Sequence, residues 1–282
     1  MFGGSRIYAA FLALAVFSGP AIAEFNVAEH DKGPISGSSK REGPAETYPR
    51  WLIRLVDPVA EPFGRTAAHL VWRKGQVTSH AEALGYLQAN LRPLDILVTK
   101  SRGRLTGHLI PGWFSHAVVY LGSESSLRAL AAWSDPEVRP HQSSIRSGKV
   151  FIEAVSSKVR LAGIAKAIDA DQVAVLRPRL PARARRQALR EFFAHIGTPY
   201  DFRIDAGEPY RLYCAELVDH VLKAHLPRHM HYGRQVIWPA EMATAALSGR
   251  NGLGFVLYIK ADRGDWIVGD RAMLKKDIAE HW

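Results

Sequence analysis

Read for the spacing of apolar and polar positions, the chain changes texture four times. Residues 7–17 form an unbroken apolar run of 11 residues. Residues 24–50, "EFNVAEHDKGPISGSSKREGPAETYPR", have no apolar period and are rich in Gly, Ser, Pro and charge, which predicts a flexible linker. From 51 to 90 the pattern turns helical through "WLIRLVD", "GRTAAHLVWRK" and "SHAEALGYLQANL", where Ala83, Leu84 and Leu87 share a face. From Leu94 onward short apolar runs take over: "LDILVTK", "HAVVYLG", "VFIEAV", "VAVLRP" and "GFVLYIK". Each is four to seven residues long, rich in β-branched or aromatic side chains and bounded by Gly, Pro or charge, so each predicts a strand. Helical spacing returns at 162–169, 182–195, 214–225 and 239–248. Three strands precede most of the helices, which predicts an α+β domain around a mainly antiparallel sheet over residues 91–262, with a helical N-terminal extension over 51–90 and a C-terminal tail over 263–282.

The first run changes the picture of location. One positive charge at Arg6, an apolar stretch too short for the roughly 20 residues a bilayer core requires, and the small residues Ala21-Ile22-Ala23 have the layout of a signal peptide over 1–23, cleaved after Ala23. The expectation is a secreted or periplasmic protein without a membrane-spanning segment once the leader is removed; an uncleaved N-terminal anchor is the alternative. The net charge is +10, of which the leader supplies only Arg6. Such a surplus suits peripheral contact with an anionic membrane surface or an acidic wall polymer. Nucleic acid is not expected as a partner, because the densest basic stretch, "PARARRQALR", reads as the solvated face of an amphipathic helix and lacks interleaved aromatics.

An exported chain with a single cysteine poses a question, since structural cysteines in oxidising compartments come in pairs. Cys214 is that cysteine, in "PYRLYCAELVDHVL". Leu217, Val218, Val221 and Leu222 follow at helical spacing, placing Cys214 at the start of a helix, where free N–H groups and the helix dipole favour a thiolate and could hold an oxyanion. The bland reading is a small hydrophobe packed inward. Twelve histidines compete for the role of base. His195, His220 and His225 lie on or at the end of polar helix faces, where a surface role is the default, whereas His116 opens the strand "HAVVYLG" with its tip at the sheet's end. Glu153 places a carboxylate in the otherwise apolar "VFIEAV", a costly position on a buried strand unless it has a partner. A histidine on the adjoining strand is a natural one, giving a nucleophile, base and orienting carboxylate; an edge strand with Glu153 facing water is the alternative.

Taken in order, "LDILVTKSRGRLTGHLIPGWFSHAVVYLG", "FIEAV", "GTPYDF" and "RLYCAELV" resemble the circularly permuted papain-like amidases of the NlpC superfamily, the YaeF/YiiX-like group, over residues 94–259. The resemblance implies a permuted papain-like fold and cleavage of an amide or ester through an acyl-enzyme, with Cys214 as nucleophile, His116 as base and Glu153 as third member. It implies no cofactor. The chain departs from the pattern at Leu94, where many relatives have glycine, and at Ala215, where many have serine. Tyr200, Tyr210 and Tyr213 are candidates for lining the substrate cleft, with packing as the alternative for each. Glu216 most simply complements the helix N-terminus. Cell-wall peptides fit the compartment and superfamily; acyl lipids fit the basic surface.

Three rival readings compete with this one. A zinc hydrolase draws on His225, His229 and His231, but their spacing is wrong for a helical zinc motif and Pro227 interrupts any helix there. A serine hydrolase would show a Gly-x-Ser-x-Gly elbow, and the chain has none. A non-catalytic module using a papain-like cleft to hold a wall fragment or lipid remains open.

Overall fold

A computed structural model describes residues 50–208 and 210–280. The leader expected over 1–23, and the linker expected over 24–50 in all but its last residue, lie outside them. In chain order the elements are α1 (Arg50–His69), a 3-10 turn (Val77–Ser79), α2 (Ala81–Asn90), β1 (Ile96–Lys100), α3 (Thr106–Leu109), β2 (His116–Tyr120) and α4 (Glu124–Ala129). A second 3-10 turn (Arg139–His141) leads into α5 (Gln142–Arg146), β3 (Phe151–Val155), β4 (Lys158–Ala162), α6 (Ile164–Ala167), β5 (Gln172–Pro178) and α7 (Ala182–Ala194). The chain closes with α8 (Cys214–Leu222), β6 (His229–His231), β7 (Arg234–Val236), α9 (Pro239–Leu247), β8 (Leu253–Ala261), β9 (Trp266–Gly269) and α10 (Arg271–Ala279).

Seven strands form one sheet in the order β4-β3-β2-β1-β5-β8-β9. Every neighbouring pair is antiparallel, so the expected α+β architecture with a mainly antiparallel sheet is what the chain adopts. The strands bury both faces, which is why their sequences read as near-continuous apolar runs rather than clean alternation. Ile96, Val98, Ala117, Val119, Ile152 and Ala174 meet the helices α7, α8 and α9 on one side. Leu97, Val118, Phe151, Val173 and Ile259 meet Val77, Ala83 and Leu87 of the N-terminal extension on the other. Among the described residues, no helix is long and apolar enough to cross a membrane.

The N-terminal extension is fixed by polar contacts as well as packing. Arg73 donates twice to the buried Asp171, at 2.6 and 3.0 Å, and the same carboxylate accepts from the backbone of Gln76 and Arg102. Gly75 is required here, since a Cβ would stand 2.0 Å from the Ala170 nitrogen. The basic stretch from 181 to 190 lies on α7, whose Leu189, Phe192 and Phe193 face the core, while Arg186 and Arg190 pair with Asp135 and Glu137.

Two differences from the sequence reading concern the sheet's edges. β4, "KVRLA", is an edge strand that the apolar pattern did not single out, because Lys158 and Arg160 interrupt its short apolar set of Val159, Leu161 and Ala162. Residues 263–282, read as a tail, supply the opposite edge strand β9 and the helix α10, which Asp270 caps by accepting from the Met273 N–H at 2.8 Å. Leu274 and Ile278 of α10 are buried in the main core, which therefore extends past residue 262.

Candidate active site

α8 begins where it does because Tyr213 is extended, at φ −98° and ψ 174°, and the next apolar residues, Leu217, Val218, Val221 and Leu222, all face inward. It ends at Lys223 in the left-handed region, φ 49°. Cys214 is therefore the first helical residue. Its side chain is 3 % exposed, yet it lines a cavity of about 370 Å³ that also reaches His116 and Glu153. The first-turn N–H groups of α8 have no intrahelical acceptors and supply donors at this end of the helix.

His116 opens β2, and its ring stands between Glu153 and Cys214. On one side Nε2 lies 3.1 Å from Glu153 Oε2; on the other the ring is within hydrogen-bonding reach of the Cys214 side chain. The pairing of β2 with β3 matches Val119 to Ile152 and Tyr120 to Phe151, and carrying that register on by one step sets Glu153 diagonal to His116 on the same sheet face. Glu153 is 3 % exposed on an interior strand, which rules out the water-facing alternative. Its other oxygen, Oε1, accepts from Arg160 Nε at 3.1 Å and Nη2 at 2.9 Å. Arg160 sits directly across from Glu153 in the β3–β4 pair. Sequence reasoning missed this residue, although a hairpin closed at Ser156-Ser157 would have set 153 against 160.

The electrostatics follow from this arrangement. Burial alone would discharge His116, but hydrogen bonding to Cys214 and Glu153 and their negative charge outweigh it, raising its pKa to about 10. Burial likewise opposes ionisation of Glu153, and the hydrogen bond and charge of His116, with the charge of Arg160, overcome it and hold the carboxyl below its ordinary range. Glu153 is thus a buried carboxylate neutralised by two cations rather than one.

The cavity wall opposite these groups comes from the N-terminal extension. Phe63, Gly64 and Ala67 of α1 line it together with Tyr200, Phe202 and Ile204. α1 approaches closely at Gly64, where a Cβ would lie 2.4 Å from the Phe202 ring. Arg65 stacks over the same ring with its guanidinium carbon 5.7 Å from the centroid, and Arg211 reaches Glu61 at 3.5 Å. Arg104, Arg160 and Lys166 also line the space, giving an apolar cavity with basic groups around it.

Of the three tyrosines proposed for the cleft, the structure brings only Tyr200 to it. Burial first, and then the charge of Cys214 and Asp201, push its phenol pKa up, so its hydroxyl remains a donor. Tyr213 turns its hydroxyl away to accept from the Ile237 N–H at 2.7 Å. Tyr210 is 79 % exposed and does not line the cavity. Two of the three histidines of the zinc alternative have other contacts: His229 Nε2 meets Glu241 Oε1 at 3.0 Å, and the His231 ring packs against Tyr232 and Trp238.

Glu216, expected to complement the helix N-terminus, does meet the Tyr213 backbone there, but it is buried. It is 7 % exposed, and its Oε2 has no hydrogen-bond partner. Burial, reinforced by the charge of Asp201, raises its pKa from 4.5 to about 8. The folded protein keeps this proton between pH 4.5 and 8 while the unfolded chain releases it, so stability falls as pH rises through that window. Glu216→Gln, which has no proton to lose, should match the wild type at pH 5 and exceed its Tm by about 5 °C at pH 9. Thermal unfolding across that range checks this; a constant difference at every pH would contradict it.

The family model described as "Permuted papain-like amidase enzyme, YaeF/YiiX, C92 family" matches residues 90–237, a span that contains His116, Glu153, Arg160, Tyr200 and Cys214. No curated protein and no solved structure matches the chain.

Proposed function

The chain belongs to the permuted papain-like amidases, hydrolases of the cysteine amidase type, and from that premise we propose an exported enzyme that cleaves an amide bond through an acyl-enzyme on Cys214. The observation that carries this reading is the His116 ring held between the Cys214 side chain and the Glu153 carboxylate on the wall of one cavity. With the thiol proton already held by His116, the sulfur attacks the substrate carbonyl, and the carbonyl oxygen gains the negative charge. Collapse of the tetrahedral species breaks the C–N bond, and the same proton passes from His116 to the leaving amine. Water, deprotonated by His116, then splits the thioester and restores the thiol. Glu153 keeps the imidazole in one orientation and offsets its positive charge.

First-turn N–H groups of α8 and the Tyr200 hydroxyl are the donors for the oxyanion. Tyr200→Phe should therefore lower kcat by ~10²-fold with KM little changed, as expected for a bond made mainly in the transition state. A rise in KM at constant kcat would instead assign Tyr200 to ground-state binding.

For substrate, peptides of the cell wall follow from the expected export and the superfamily. A second reading, an acyl-lipid amide or ester, is favoured by the apolar wall that α1 and residues 202–204 contribute beside basic Arg104 and Lys166. The full set of purified muropeptides and a panel of N-acyl and O-acyl lipids, each assayed with the wild type and Cys214→Ala, separates the two. Turnover of neither, with no acyl adduct on Cys214 by mass spectrometry, would return the protein to the class of binding modules. Fractionation of cells expressing the tagged chain tests export, with cytoplasmic full-length protein as the contrary result.

A further inference from the structure

Outside the cleft, the end of α7 and the last turn of α8 bring together three side chains that the proposed reaction does not use. Glu191 and His195 are four residues apart at the end of α7, so they project from one side of the helix turn. α8 packs beside α7 in the same core, through Leu189, Phe192, Leu217 and Val221, and this contact sets His220 alongside them. One ligand-type atom from each of the three lies within 4.8 Å of the others. The two imidazole rings meet edge to face, with centroids 5.1 Å apart. Glu191 Oε1 stands 3.9 Å from His220 Nε2, too far for a hydrogen bond, so the groups surround a common centre rather than bonding to each other.

We propose that Glu191, His195 and His220 bind a divalent transition-metal ion of the zinc class, which clasps α7 to the helix that carries Cys214. Two imidazole nitrogens and one carboxylate oxygen are a donor set suited to zinc, nickel or copper; magnesium and calcium prefer oxygen ligands. Tetrahedral zinc holds its ligand atoms about 3.4 Å apart, so the side chains need to draw in by about an ångström. His220 is 55 % exposed and Glu191 25 %, which leaves both free to rotate inward and leaves room for water as the fourth ligand. The same arrangement accounts for residues that the sequence placed on a surface face without a role. None of the three lines the cleft. His220 is also six residues beyond Cys214, about 9 Å along the helix axis. The ion is therefore structural and takes no part in the hydrolysis.

The test uses the full-length chain carrying Cys214→Ala, so that the thiol, itself a zinc ligand, cannot bind the probe. ZnCl2 is titrated by calorimetry, CoCl2 by visible absorption, and Tm is followed with ZnCl2 or MgCl2 added. The expected result is one equivalent of zinc, a tetrahedral cobalt spectrum, and a Tm raised by about 5 °C at a zinc concentration 100-fold above Kd, with no rise in magnesium. His195→Ala and His220→Ala should each weaken zinc binding at least tenfold, while His231→Ala leaves it unchanged. Both ligand positions are at least partly exposed, and an unchanged Tm without metal shows that the variants fold. Equal affinity in the wild type and both ligand variants, loss of binding in His231→Ala, or an equal Tm rise with magnesium would overturn the assignment.

Discussion

Cys214→Ala is expected to lower kcat/KM on the amide substrate by ~10⁴-fold or more, His116→Ala by a similar factor, and the double variant by no more than either alone. Nucleophile and base act as a unit: once sulfur is gone, the imidazole has nothing to deprotonate, so the two losses do not add. The structural basis is that both side chains line one cavity, where Glu153 holds His116 at 3.1 Å. A measurement independent of substrate checks the same contact. With His116 protonated beside it, the sulfur carries negative charge at low cost, so iodoacetamide should alkylate Cys214 at pH 6 at least tenfold faster in the wild type than in His116→Ala. Equal rates would show that the imidazole does not influence the sulfur, and the proposed chemistry would fail with them.

What the sequence made legible here was mostly local. The strands at 96–100, 116–120 and 151–155 are short, apolar and β-branched and fall inside the runs that predicted them, while the strand at 172–178 begins one residue before its run. α8 was legible from its apolar spacing, and the position of Cys214 at its start came with it. His116 and Glu153 could be brought together because alternation along a strand says which residues share a face. Register, however, was not available, and the contact is diagonal rather than directly across.

The residues that escaped reading are those whose place depends on contacts far along the chain. Arg160 lies on an edge strand whose charged residues hide its period. The part of α1 that lines the cavity reads in sequence as an ordinary amphipathic helix, and nothing local tells that its Gly64 meets Phe202. Tyr213 and Tyr210 sit beside the nucleophile in sequence, but one side chain is spent on the Ile237 backbone and the other points to solvent. Leu94 shows the converse. Its φ of +75° is a conformation that glycine adopts without strain, which gives a physical reason for the glycine that many relatives have there. Here a buried leucine side chain, at 0 % exposure, offsets that strain.

The largest effect beyond the nucleophile pair is expected at Glu153. Glu153→Gln keeps the shape of the side chain but removes the charge that faces both His116 and Arg160. An amide can present its NH2 to the imidazole and favour the wrong tautomer, so kcat should fall ~10³-fold or more with KM nearly unchanged. Stability should fall too, by about 2 kcal/mol near pH 6; His116 and Arg160 are 24 % and 32 % exposed, so water recovers part of what they lose. The pH dependence has a definite sign. The stability that Glu153 contributes is present above its ordinary pKa of 4.5 and is lost as pH falls through its lowered folded value. The stability contributed by His116 is fully present below 6.5 and is lost as pH rises through about 10. The Tm gap between wild type and Glu153→Gln should therefore be widest between pH 4.5 and 6.5 and narrow on both sides. Arg160→Met separates the two roles: it removes one cation from the carboxylate but leaves the contact with His116, so it should cost stability while retaining more activity than Glu153→Gln. Thermal unfolding from pH 4 to 10 and steady-state kinetics on the same proteins provide both readouts. Full activity in Glu153→Gln would remove the carboxylate from the mechanism and leave it as a partner for Arg160 alone.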